Sequence, residues 1–426
     1  MSVFLNPGVH TNAVLVKAHQ HRMLASTLLA RQPFKAIVLI YYITSSLFVC
    51  APAWALWYLP RSNRPRRSWS LAHLLMTKLI FRISAGVVRT RVAMQARDPF
   101  EDHTRPAGRA AEALKECDFE FVEPVADDKV KGFAADPDIK PERVGAYIWP
   151  SSSRLDDPED RRLVMLFCHG GAYTYHSAHP TSDTSRIPRQ FVKSYTDTVK
   201  AIYSVDFRTS LHTPAPAQLL DAISAYATLI DKHHVPPQSI IITGNSAGGN
   251  LCLALARYLR DEQVYPLPGG IYLQSPWSNP SYNTKIDGYN SSILRNCNVD
   301  FLNFPALGDF VQAALRGTKP REYLNSLYIS PGRPALQVTE AAFKGFPRTF
   351  INYGEAEILY EEIRVLIERM RLGGVELEID EITDAMHDPL CTETGNVERI
   401  DRIIEATRPW LTQCLKDAHA SHAGQQ

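Results

Sequence analysis

Ser246 stands in Gly244-Asn245-Ser246-Ala247-Gly248-Gly249, directly after the apolar run Ile240-Ile241-Ile242-Thr243 and before the helical stretch Leu251–Arg260. This spacing places a serine on a sharp strand-to-helix turn, where glycines two residues to either side let the backbone close up. The turn lifts the hydroxyl clear of the sheet, and the helix N-terminus favours negative charge beside it. A capping serine in a tight turn would use similar residues. The order of strand, serine, small residues and helix favours a nucleophile instead. His169-Gly170-Gly171-Ala172-Tyr173 closes a second apolar run, Leu163–Cys168. Consecutive glycines let backbone N–H groups converge on one point, as a developing oxyanion requires. The expected donors are the N–H groups of Gly170 and Gly171, helped by that of Ala247.

A serine hydroxyl is a weak nucleophile until a histidine takes its proton and a carboxylate orients that histidine. Only His387, His419 and His422 follow Ser246 in the chain, and the last two lie in a small, polar tail. His387 is therefore the expected base. With a serine on such a turn, the acid falls between serine and histidine in the chain. Glu357, in Gly354-Glu355-Ala356-Glu357-Ile358-Leu359, is the best candidate; Glu355 and Asp384 are its rivals.

Elements able to position these groups are visible around them. Strand-like runs recur at Phe119–Val125, Val144–Trp149, Leu163–Cys168, Val199–Val205, Ile240–Thr243, Gly270–Gln274, Thr349–Tyr353 and Val375–Ile382. Helical periodicity fills Gln218–His233, Asn250–Glu262, Ile358–Leu372 and Val397–Leu415. Alternation of this kind predicts an α/β fold, a mostly parallel sheet with helices on both faces. A polar stretch over 279–320 interrupts it and reads as an insertion above the sheet. The segment 418–426 reads as a disordered tail.

The His-Gly-Gly-Ala-Tyr turn and the Gly-Asn-Ser-Ala-Gly-Gly elbow resemble the hormone-sensitive-lipase-like branch of the α/β-hydrolases. So does Asp206-Phe207-Arg208, followed by Pro214, Pro216, Ala217 and Asp221. The family's acid lies in a Gly-x-x-Asp-x-Leu pattern, which Gly354-x-x-Glu357-x-Leu359 matches with Glu for Asp. Its histidine follows some thirty residues later, where His387 stands. Ala172 occupies a position where glycine is commoner. The resemblance covers roughly 117–415 and implies an α/β-hydrolase fold with a helical cap and a serine carboxylic-ester hydrolase with a Ser246–His387–Glu357 triad. With its N-terminal anchor the chain is similar to arylacetamide deacetylases and steryl acetyl hydrolases. That likeness implies removal of short acyl groups, acetyl in particular, from lipophilic alcohols such as sterols or terpenoids, in the endoplasmic reticulum with the catalytic body luminal. An arylamide amidase or peptidase on the same triad is the main alternative, and a non-catalytic ligand receptor a lesser one.

The anchor reading comes from residues 36–59, a run of 24 residues without a charge. As a helix it would be about 36 Å long, enough for a hydrocarbon core of about 30 Å. Tyr41, Tyr42, Trp54, Trp57 and Tyr58 lie mostly towards its ends, where amphipathic rings favour the interface. Basic residues flank it about equally, so charge does not orient it. The chain thus divides into a tail and anchor over 1–60, basic juxtamembrane helices over 61–116, and a catalytic body over 117–417. The alternating apolar and basic residues Leu71, Leu74, Leu75, Lys78, Leu79 and Arg82 suit a helix on an anionic membrane or one packed over the body.

Charge separates the same regions. Residues 1–110 hold 15 Lys+Arg against 3 Asp+Glu, and the remainder 31 against 42. An acidic body is a poor partner for nucleic acid. Membrane lipid and a small lipophilic ester are the expected partners. No cofactor or metal is expected: His19, His21, His233 and His234 lack further ligands at useful spacing and read as solvated. Asn290-Ser291-Ser292 is a glycosylation sequon, and the seven cysteines show no paired spacing, which predicts mostly free thiols.

Overall fold

The computed structural model describes residues 28–90, 108–283, 287–288, 290–302, 304–393 and 396–423. His19 and His21 lie outside them, as does the stretch 91–107 of the basic region expected over 61–116.

Eight strands form one sheet in the order β1-β2-β4-β3-β5-β6-β7-β8. They are β1 Asp118–Val122, β2 Val144–Trp149, β3 Leu163–Cys168, β4 Val199–Asp206, β5 Ile240–Asn245, β6 Gly270–Gln274, β7 Thr349–Gly354 and β8 Leu377–Ile382. Each falls on a run expected to be a strand. The pairs β1–β2 and β2–β4 are antiparallel; all later pairs are parallel.

Apolar residues on both sides of each central strand require cover on both faces. Val164, Leu166 and Cys168 of β3 enter one core, while Leu163, Met165 and Phe167 enter the other. The N-terminal helices are α1 Phe34–Tyr58 and α2 Leu71–Thr90. The body adds α3 Arg186–Ser194, α4 Ala217–Ala227, α5 Ala247–Glu262, α6 Ser291–Asn296, α7 Phe304–Arg316, α8 Tyr360–Leu372 and α9 Val397–Ala423. Helices α4, α5 and α8 cover one face, and α3 with α9 the other.

Two expectations are corrected. Residues 418–423 are not a loose tail: α9 runs on to Ala423, with Ala418 buried in the core. Asp417 pairs with Arg348 at 2.8 Å just before it, and Arg161 O lies 3.2 Å from His419 Nε2, which ties that turn down. His233 is not a solvated histidine either, since its Nε2 lies 2.7 Å from Glu120 Oε1. All seven cysteines are free.

The region 279–320, between β6 and β7, holds α6 and α7. Helix α2 packs on the body: Leu74 is fully buried with Trp69, Val299 and Ala356. Of the two readings for this segment, packing over the body is the one seen. Helix α1 leaves most of its surface open, with Ile37, Ile40, Phe48, Leu56 and Trp57 all exposed.

Candidate active site

Strand β5 ends at Asn245, and Ser246 takes φ 53° and ψ −117° as the N-cap of α5. Such a conformation is strained for a serine and persists only where the surroundings enforce it. They do so through two glycines. A Cβ on Gly248 would lie 1.9 Å from Cys168 O, and one on Gly244 would lie 2.5 Å from the Gly248 carbonyl carbon. Only glycine lets helix and strand approach this closely, so the spacing in the sequence has a steric cause.

His387, in the loop after β8, brings Nε2 to 2.9 Å from Ser246 Oγ. Its Nδ1 lies 2.8 Å from Glu357 Oε2. With Glu357 ionised, Nδ1–H donates to the carboxylate and Nε2 is left to accept the serine proton. Glu357 is wholly buried. Its other oxygen accepts from Ser275 Oγ and from the Gly354 N–H, each at 2.5 Å. Burial alone would depress the imidazolium, but the Glu357 hydrogen bond and charge, with Asp300 and Asp388 nearby, outweigh it and hold His387 up at about 9.

The rival carboxylates turn elsewhere. Glu355 and Asp384 both pair with Arg66, at 3.3 and 3.1 Å. Ser68 Oγ and Trp69 Nε1 also donate to Asp384, to its carboxylate and its carbonyl respectively. The segment before α2 is thereby fastened to the loops that carry Glu357 and His387.

The oxyanion donors need one correction. The Gly170 N–H donates to Asn245 Oδ1 at 2.8 Å, so it is committed within the protein. Gly171 and Ala172, both at positive φ, and Ala247, at the first turn of α5, have no backbone acceptor for their N–H groups among the described residues. Ala172 and Ser246 share the wall of a small cavity of about 40 Å³ with Trp277, Leu302, Val311 and Leu359. Sequence reasoning missed Ala172, although it stands inside the quoted turn. It also missed Ser275, Asn245 and Arg66. Asn245 adjoins the nucleophile, whereas nothing local marks the other two.

Asn290, of the sequon, caps α6 by accepting from the Ile293 N–H at 2.9 Å, and Ser292 is buried.

A family profile described as alpha/beta hydrolase fold matches residues 165–390. Among the relatives, an acetyl-hydrolase of Streptomyces hygroscopicus is 28% identical over 53% of this chain and 67% of its own. Human arylacetamide deacetylase-like 2 is 24% identical over 56% of this chain and 70% of its own. The crystal structure of an HSL homolog from a metagenome library aligns with a TM-score of 0.55 at 21% identity, over 80% of this chain and 97% of that one. The chain belongs to the alpha/beta hydrolase fold family.

Proposed function

We propose that this protein is a membrane-anchored serine carboxylic-ester hydrolase that removes short acyl groups, acetyl in particular, from lipophilic alcohols such as sterols or terpenoids. The observation that carries the reading is the continuous chain Ser246 Oγ, His387, Glu357, at 2.9 and 2.8 Å.

In this mechanism His387 Nε2 takes the Ser246 proton as Oγ attacks the ester carbonyl. Glu357 stabilises the imidazolium that forms and selects its tautomer. The carbonyl oxygen gains charge and is held by the N–H groups of Gly171, Ala172 and Ala247, at the positive end of α5. His387 then returns the proton to the departing alcohol, and water repeats the cycle on the acyl-enzyme. No step requires a cofactor.

Acyl and alcohol preference follow from the site's size and surroundings. The small cavity at Ser246, walled by Trp277, Leu302, Val311 and Leu359, suits a short acyl group. Two relatives carry acetyl-hydrolase and deacetylase names, which agrees with it. Helix α1, 25 residues long and open on its outer face, suits a membrane anchor, which brings the body to lipophilic substrates. Its placement in the endoplasmic reticulum, with the body (117–417) luminal, follows the likeness to the deacetylases. Within that body, 279–320 acts as a cap with the helices of 61–116. Purified enzyme assayed side by side on acetyl esters, longer acyl esters and arylamides tests the reading. Faster turnover of acetyl esters, abolished by Ser246→Ala, is expected; preference for arylamides overturns it.

A further inference from the structure

A second and far larger cavity, of about 450 Å³, lies between the N-terminal helices and the cap. Tyr42 and Trp54 of α1 line one side, and Lys78, Arg82 and Arg89 of α2 line another. The cations stand against aromatic rings. Lys78 Nζ is 5.8 Å from the Trp54 ring centre, and the guanidinium groups of Arg82 and Arg89 are 5.5 and 5.6 Å from that of Tyr42.

Ring faces hold a cation without cancelling its charge. None of the three cations has an ion pair among the described residues. Arg82 gives Nη2 to Ser45 Oγ at 3.0 Å, and its buried Nε has no partner there. Among the described residues one acid borders the cavity, Asp300, which is buried. Its carboxylate already accepts from the N–H groups of Ile358 and Leu302, at 2.8 and 3.3 Å. Three cations without an ion pair among the described residues therefore border a cavity whose other wall is an apolar helix open to its surroundings. Cations beside hydrocarbon are costly unless they meet an anion, and basic clusters at a membrane draw anionic headgroups.

We propose that this cavity binds the headgroup of an anionic membrane lipid on Lys78, Arg82 and Arg89, with the lipid's chains along α1. The proposal rests on the membrane anchoring argued above. It also places the lipid beside the chemistry. Asp300 borders this cavity, the Phe301 ring centre lies 5.8 Å from that of His387, and Leu302 lines the cavity at Ser246. An occupant thus sits one residue from the ring that rests against the catalytic histidine.

Cys297 is an exposed thiol on the cavity wall and reports occupancy directly. The full chain carrying Cys50→Ser is placed in nanodiscs of phosphatidylcholine alone or with phosphatidylserine, and maleimide labelling of Cys297 is timed. Phosphatidylserine at about ten times its dissociation constant should slow labelling about tenfold. The Lys78→Gln, Arg82→Gln, Arg89→Gln variant should lose this difference while hydrolysing a short soluble ester as before. The charge-keeping set Lys78→Arg, Arg82→Lys, Arg89→Lys should retain it. Equal labelling in both disc types overturns the lipid site while leaving the anchor intact. Equal protection by inorganic phosphate in neutral discs overturns it in favour of a simple ion site. Failure of the chain to co-elute with either disc overturns the anchor, and the lipid site with it.

Discussion

Asn245 donates its side-chain amide to the carboxylate of Asp388 at 2.5 Å, joining the residue before Ser246 to the residue after His387. The same side chain accepts the Gly170 N–H, so three loops meet on one amide: the elbow, the histidine loop and the glycine turn. Asp388 N–H also donates to Ser275 Oγ, which in turn donates to Glu357. Burial pushes the Asp388 carboxyl up, partly offset by His387 and by this amide.

Replacing Asn245 by Ala should orphan a buried N–H and a buried carboxylate, at about 1–3 kcal/mol for each group. The variant should be less stable to urea by at least about 1 kcal/mol, and its turnover should fall about tenfold as the glycine turn loosens. Asp388→Asn keeps the shape and should cost less. Wild-type stability and turnover in Asn245→Ala would show that the link positions nothing.

Glu357→Gln keeps size but removes the charge that stabilises the imidazolium. Turnover should drop at least roughly a hundredfold, or about 2.7 kcal/mol of barrier, in line with losses of about 10⁴ for an analogous aspartate elsewhere. Glu355→Gln and Asp384→Asn should each stay within about tenfold, because those carboxylates face Arg66 and not His387. Kinetics on variants shown to be folded by circular dichroism decide it; collapse of either rival with Glu357→Gln intact reassigns the acid.

The pH dependence follows from His387, which must be neutral to accept the serine proton. Its folded value lies above the ordinary 6.5, at about 9, so kcat/KM should climb with pH through that range. Glu357→Gln should move the limb to lower pH. Linkage runs the other way for stability: a raised histidine binds its proton more tightly when folded. Its contribution is complete below the unfolded value and is lost as pH rises towards about 9. Urea midpoints at pH 6 and pH 9 in wild type and Glu357→Gln measure this, and an equal fall in both would remove His387 as the cause.

Deleting residues 1–60 should free the protein from carbonate-washed membranes and spare hydrolysis of short soluble esters. Deleting 1–70 should not spare it, since Arg66 and Trp69 go with it. Arg66 also donates to Asn296, whose amide donates to the Glu357 carbonyl at 2.7 Å. Equal activity in the two truncations would mean that this fastening has no bearing on the acid.

In a eukaryotic host Asn290 should carry a glycan if the body is luminal. Mobility shift on deglycosylation, with protease accessibility in sealed microsomes, reports it; digestion of the body from outside would place it in the cytosol.

The elbow and the eight strands were legible because each leaves a local mark. Gly244 and Gly248 are required by backbone contacts that tolerate no Cβ, and a strand buried on both faces, as β3 is, must be apolar throughout. His387 was picked by chain order and Glu357 by its place after β7, and the fold brings both into one line of hydrogen bonds with Ser246. What side chains and N–H groups do with their hydrogen bonds was not legible. Gly170 looked like an oxyanion donor because its turn is glycine-rich, yet its N–H goes to Asn245, 75 residues away. Arg66 reaches Glu355 and Asp384 across 289 and 318 residues, and nothing in a basic stretch after an apolar helix singles it out. The helical end of the chain was misread because small polar residues carry no amphipathic signal, while Ala418 is held by a core that the sheet assembles. Steric needs of the backbone are written within a few neighbouring residues. Pairing of a charge or an N–H is decided by whatever the fold brings within 3 Å of it, and that belongs to the tertiary structure alone.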